Sequence, residues 1–213
     1  LNPANPNALR LLIAVCDARG FKNQAMSYMR RGLRFAPNDQ RLMNLFLNYL
    51  ENYESPTQAL DIRLRIASRH PENRNNRRAI ARLYMKNNEM QEAKNVLDKL
   101  FNENPDDLNT VMLLAQYHAI NGNKEKGKAT IKTYLESQDQ PTAAEMVQYA
   151  QYLSRIGTAK EKVEQTIKKA VSIESADNMR GTRFYANWQM QLGNFSEARD
   201  LYRKLSNKLD DNQ

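Results

Sequence analysis

Four prolines stand at Pro3, Pro37, Pro71 and Pro105, each 34 residues from the next. A fixed period of this length restricts a chain to architectures that stack one supersecondary unit on its copies. Proline lacks an N–H and restricts the residue before it, so each one marks where a helix stops. Small residues keep the same frame. Ala25, Ala59 and Ala93 repeat at 34, and the next step falls on Gly127. A second small position runs through Ala81 and Ala115 and continues, at longer steps, through Ala150 and Ala186. Gly20, Gly122, Gly157 and Gly193 sit at mid-unit turns, with Asn88 in the equivalent place.

Each unit reads as two amphipathic helices. In the third, Ile80, Leu83 and Tyr84 recur at helical spacing, a turn follows at Asn87-Asn88, and Ala93, Val96, Leu97 and Leu100 lead to Pro105. Spacings of three and four place these residues on one stripe per helix. The small residues mark where paired helices approach closely. Ser55-Pro56-Thr57-Gln58 is a compact helix start, with Ser as N-cap, Pro at the first helical position and Gln for a capping box. Asn194 with Glu197 offers a similar start, which accounts for the sequon-like Asn194-Phe195-Ser196. The frame gives units of about 6–39, 40–73, 74–107, 108–141, 142–177 and 178–213, with no Pro/Gly/Ser-rich linker between them, so a single domain over 1–213 is expected. Leu1-Asn2-Pro3 reads as the tail of a further upstream unit.

Composition narrows the chemistry. One cysteine, Cys16, leaves no internal disulfide or Cys-based zinc site. His70 and His118 are 48 residues apart without acidic residues at metal-ligand spacing. No Gly-rich phosphate loop, nucleophile elbow or catalytic carboxylate pair stands out. Neither an enzyme, a metal nor a cofactor is expected. No apolar run approaches the roughly 20 residues of a membrane span.

The 34-residue unit, with paired small residues, a turn glycine and a closing proline, resembles the tetratricopeptide repeat. The likeness covers nearly the whole chain and is clear in the sixth unit, at Tyr185-Ala186, Leu192-Gly193-Asn194-Phe195, Glu197-Ala198 and Tyr202. Departures exist. Leu9, Met43, Arg77 and Val111 replace the family's early Trp, Glu54 stands where a turn Gly is usual, and the fifth unit lacks its closing Pro. The resemblance implies an all-α fold, a right-handed α-solenoid of about six antiparallel helix pairs.

It also implies a binding scaffold whose first helices line a concave groove. Carried onto this chain, the groove residues are Asn44, Asn48, Asn75, Arg78, Arg82, Asn109, Gln116, Arg183 and Asn187, with Arg10, Lys86, Met85 and Met112 beside them. Asn44/Asn48, Arg78/Arg82 and Arg183/Asn187 are each four apart and share a helix face. Asparagine offers donors and acceptors to a peptide backbone, and the arginine fork takes carboxylates. An acidic peptide or helix of a partner protein is therefore expected. A carboxylate clamp fits only partly, since Ala14 stands where its first Asn belongs. The alternative is a basic nucleic-acid or anionic-surface module. The net charge is +8, and residues 63–86 concentrate Arg63, Arg65, Arg69, Arg74, Arg77, Arg78, Arg82 and Lys86. Against it, stacking on RNA calls for exposed aromatics beside the basic residues, whereas Tyr84, Tyr117 and Tyr202 sit at core-like spacing. A third expectation is self-association through end repeats, which lack a neighbour to bury their outer faces.

Overall fold

The computed structural model describes residues 5–175 and 177–210. Pro3 and the upstream unit expected at Leu1–Pro3 lie outside the described residues. Among the described residues the chain is all α, with no strand. The first helices of the pairs are α1 (Pro6–Ala18), α3 (Gln40–Tyr49), α5 (Arg74–Lys86), α7 (Leu108–Ile120), α9 (Ala143–Arg155) and α11 (Arg180–Leu192). The second helices are α2 (Lys22–Phe35), α4 (Pro56–Arg69), α6 (Met90–Glu103), α8 (Lys124–Ser137), α10 (Lys160–Ile173) and α12 (Phe195–Asp210).

Caps keep the 34-residue beat. Asn5, Asp39, Asn73 and Asp107 each stand two residues after a period proline and immediately before a first helix. Each accepts a backbone N–H of that helix's opening turn. A side-chain oxygen there satisfies a donor that has no intrahelical partner. Ser55 caps α4 with Pro56 behind it, accepting from the Gln58 N–H at 3.2 Å. Thr142 and Glu145 form a complete capping box on α9. The start expected at Asn194 is built differently. Asn194 donates its amide to Gln189, and Glu197 turns back to accept from Tyr185 and Gln189.

Mid-unit turns require a left-handed residue. Gly20, Gly122, Gly157 and Gly193 all lie at positive φ, and Asn88 joins them at 63°. The second pair has Glu54 there and solves the turn another way. After α3 the chain widens into a π-helical turn, Leu50–Glu54, closed by the Ser55 N–H on the Leu50 carbonyl at 2.9 Å.

The small-residue positions are the close approaches. Ala25, Ala59, Ala93, Ala81, Ala115, Ala150 and Ala186 are all fully buried. Packing divides the molecule inside α6 into two compact units, Leu1–Val96 and Leu97–Gln213. In the first, Ile13, Met29, Leu42, Leu47, Leu50, Ala59, Leu60 and Leu83 share one core with Cys16, a free buried thiol. The outer face of α1 leaves Leu11, Leu12 and Val15 exposed. In the second unit, Val111, Ile131 and Tyr152 form one cluster, and Leu153, Val163, Ile167 and Trp188 another.

Candidate interaction face on the first helices

The first unit's candidate face begins with what its helices cannot bury. Along α3, Leu42, Phe46 and Leu47 turn into the core, which leaves Asn44 and Asn48 exposed on the opposite side. Along α5, Ile80, Ala81 and Leu83 are buried. Asn75 and Arg82 are exposed and Arg78 is half-buried. Arg78 donates to the Asn75 side-chain oxygen, so these two candidates are in contact.

Glu51, in the π-helical turn, ties this face to the interior. Its carboxylate accepts from the buried Arg63 of α4 at 2.5 Å, and its backbone carbonyl accepts from Lys86 of α5. Arg63 also donates to Asn76, whose amide returns to the Arg63 carbonyl at 2.8 Å. A buried guanidinium is tolerated only when paired and hydrogen-bonded in this way. Arg82 stands near Glu51 but beside Arg63 and Arg78. Desolvation lowers its guanidinium from the ordinary value, and the two like charges add to that against the pull of Glu51. The sequence reading missed Glu51, because a glutamate inside a turn carries no local motif.

In the second unit, Asn109 is exposed at the start of α7 and Gln116 is half-buried further along it. Arg183 and Asn187 are exposed on α11, and Asn187 accepts from the Tyr202 hydroxyl of α12 at 2.6 Å. Several neighbours expected beside the groove have other work. Arg10 bonds Asp39 at 3.0 Å, the residue that caps α3, so it staples consecutive pairs. Met85 is buried, which removes it as a groove contact, and Met112 is half-buried against the core of the second unit. Tyr202, expected in the core, is 40% exposed.

The arginines of 63–86 differ in burial and are divided between α4 and α5. Arg63 is buried, Arg65 and Arg69 are exposed on α4, and Arg78 and Arg82 belong to the α5 face. His118 is buried, as its core-side position predicts, and His70 sits in a turn 3.4 Å from Glu72. Among the described residues no group of three His, Cys, Asp or Glu is placed to hold a metal ion, and no helix is long and apolar enough to cross a membrane.

The tetratricopeptide repeat family model matches residues 54–117. No curated protein matches the chain in sequence. Solved structures share the fold over most of its length. A tetratricopeptide repeat protein from Parabacteroides merdae superposes with a TM-score of 0.59 at 14% identity, covering 98% of this chain and 80% of that one. The thermophilic repeat protein TTC0263 of Thermus thermophilus gives 0.56 at 19% identity, over 80% and 91%. A putative kinesin light chain of Podospora anserina, with nearly identical repeats, gives 0.54 at 12% identity, over 81% and 96%.

Proposed function

We propose that this tetratricopeptide-repeat protein is a non-enzymatic interaction scaffold that holds an acidic peptide or helix of a partner protein on the α3–α5 face. Its fold is that of scaffolds for protein–protein contact in general, and the finer reading comes from the side chains. The observation that carries it is the charge imbalance around Arg82. Arg82 stands near two like charges, Arg63 and Arg78, and one carboxylate, Glu51, which is already engaged by Arg63. An incoming carboxylate would relieve that like-charge crowding, and Arg82 presents a fork suited to receive it. Asn44 and Asn48, one turn apart and exposed on α3, supply donors and acceptors for a peptide backbone.

Recognition would need no bond-making chemistry. The partner's carboxylates would neutralise the α5 cations, and its backbone would satisfy the asparagines. Unit 2 offers Asn109, Gln116 and Arg183 as further polar contacts on its own first helices.

Affinity capture from native lysate tests the proposal. The wild-type chain is compared with Arg78→Glu/Arg82→Glu, each with and without nuclease. The expected result is a discrete protein that is retained under nuclease and lost with the double substitution. Capture that survives the substitutions but disappears with nuclease would replace this reading with nucleic-acid binding.

A further inference from the structure

The place where the second repeat abandons the turn glycine is also where the first unit opens a cleft. With Glu54 in the turn, the chain takes the π-helical path from Leu50 to Glu54. Tyr53 and Glu54 then face α2 across a cleft of about 680 Å³. That volume lies within the ordinary range of ligand-binding clefts, and π-turns occur often at functional sites.

Its lining is basic and aromatic. α2 contributes Lys22, Arg30, Arg31 and Arg34, while Glu54 is the one carboxylate in the wall. Arg30 holds Glu54 at 2.8 Å. Arg31 and Arg34, three apart on α2 and exposed, have no carboxylate partner among the described residues. Met26 is buried at the wall. Phe35 and Tyr53 are 57% and 55% exposed, large for side chains of their kind.

We propose that this cleft is a second docking site, for an acidic peptide segment that carries an aromatic or aliphatic side chain between its carboxylates. The carboxylates would bind Arg31 and Arg34, and the apolar side chain would rest against Phe35 and Tyr53. One observation favours a peptide over a nucleic acid. Arg30 already receives a carboxylate, that of Glu54, so the wall is shaped for that group. The site lies on a second helix and the turn after α3. It therefore does not depend on the reading of the α3–α5 face.

Fluorescence polarisation tests it with labelled 12-residue peptides of Asp and Glu flanking a central Phe, Trp or Leu. Neutral Asn/Gln versions and a 12-nucleotide oligouridylate run in parallel. Arg31→Glu/Arg34→Glu is expected to weaken acidic-peptide binding at least tenfold, and Tyr53→Ala several-fold. Arg65→Glu/Arg69→Glu, exposed on α4 and outside both proposed sites, should leave it unchanged, and neutral peptides should bind at least tenfold more weakly than acidic ones. The altered side chains are exposed, and far-UV circular dichroism verifies that helix content is kept. Absence of saturable binding, equal binding of neutral peptides, or an equal loss in the Arg65→Glu/Arg69→Glu control would each overturn the proposal. Oligouridylate binding tighter than any acidic peptide, with the same dependence on Arg31 and Arg34, would overturn it in favour of nucleic acid.

Discussion

Replacing glycine by alanine inside a helix ordinarily stabilises by about 0.5–1 kcal/mol. Gly127 in α8 reverses that sign. A Cβ built there falls 1.9 Å from the Tyr152 hydroxyl oxygen and 2.7 Å from the Ala115 carbonyl oxygen. Tyr152 cannot swing aside, because it is 1% exposed and donates to that same carbonyl at 3.2 Å. Burial pushes its hydroxyl up to about 12, with smaller contributions from Tyr149 and Glu125, so it remains a donor throughout the neutral range. Forcing a methyl into a packed core costs about 1–3 kcal/mol. Displacing a buried hydroxyl from its acceptor costs about 1–3 kcal/mol more. After the helix-propensity gain of about 0.5–1 kcal/mol, Gly127→Ala should lose about 1–5 kcal/mol, or roughly 2–20 °C in melting temperature.

The reasoning is checked by a double-mutant cycle in urea, followed by circular dichroism. Tyr152→Phe alone should cost about 1 kcal/mol, the worth of one buried hydrogen bond. It also removes the oxygen that the new methyl meets, leaving the ring carbon Cζ at 3.1 Å. The Gly127→Ala/Tyr152→Phe protein should then fall short of the summed single losses by about 1–2 kcal/mol. A stabilising Gly127→Ala, or single effects that add within about 0.5 kcal/mol, would refute the account.

Other substitutions isolate other terms. At Gly193, φ is 80° and an added Cβ meets nothing within 4 Å. Gly193→Ala should therefore cost about 1–2 kcal/mol through backbone strain alone, and Gly193→Asn less, by thermal melts. Glu51→Ala strands the buried Arg63 guanidinium. It should cost about 2–4 kcal/mol in urea unfolding, while Glu51→Ala/Arg63→Met should regain most of that. Acid sensitivity follows from Glu145 and Glu164. Burial raises Glu145, but hydrogen bonds from Tyr134 and Thr142 outweigh it and hold the carboxyl below 4.5. Lys168 and Tyr185 hold Glu164 below 4.5 likewise. Depressed folded-state values mean that this stabilisation is complete above about pH 4.5 and is lost as pH falls through them. Tyr134→Phe should flatten the stability–pH curve in that acid window.

The repeat frame was legible because helix packing punishes errors at particular positions. Ala81, Ala115, Ala150 and Ala186 could be read as close approaches, and all are fully buried. The turn glycines could be read as left-handed positions because few other residues enter that region cheaply. The caps were equally available, in Pro37-Asn38-Asp39, Pro71-Glu72-Asn73 and Pro105-Asp106-Asp107, but they emerge only when proline is read together with the residue two places on. Partnerships across pairs were not legible. Arg10 looks like a groove cation until Asp39 is seen to hold it. Met85 and Tyr202 differ from expectation because a helix's buried arc depends on which neighbours flank it, and periodicity does not record that.

Glu54 shows why a departure from a repeat can say more about binding than agreement with it. Positions that keep the pattern answer to the packing of neighbours, so their side chains are spoken for by the fold. A glutamate at a turn that elsewhere takes glycine or Asn88 gains nothing in turn geometry, and the chain must widen into a π-helical path to accommodate it. The same path brings Glu51 to Arg63 and Lys86 on one side, and Tyr53 and Glu54 to α2 on the other. One irregular turn thus borders both the α5 face and the basic cleft. Glu54→Gly should separate the two roles. If glycine restores an ordinary turn, the cleft loses Tyr53 as a wall and acidic-peptide binding there falls. The Glu51–Arg63 pair is anchored by α4 and should keep most of its contribution to stability. Urea unfolding and peptide polarisation on the same variant would read the two effects independently. Equal loss in both would show that the turn acts on stability alone.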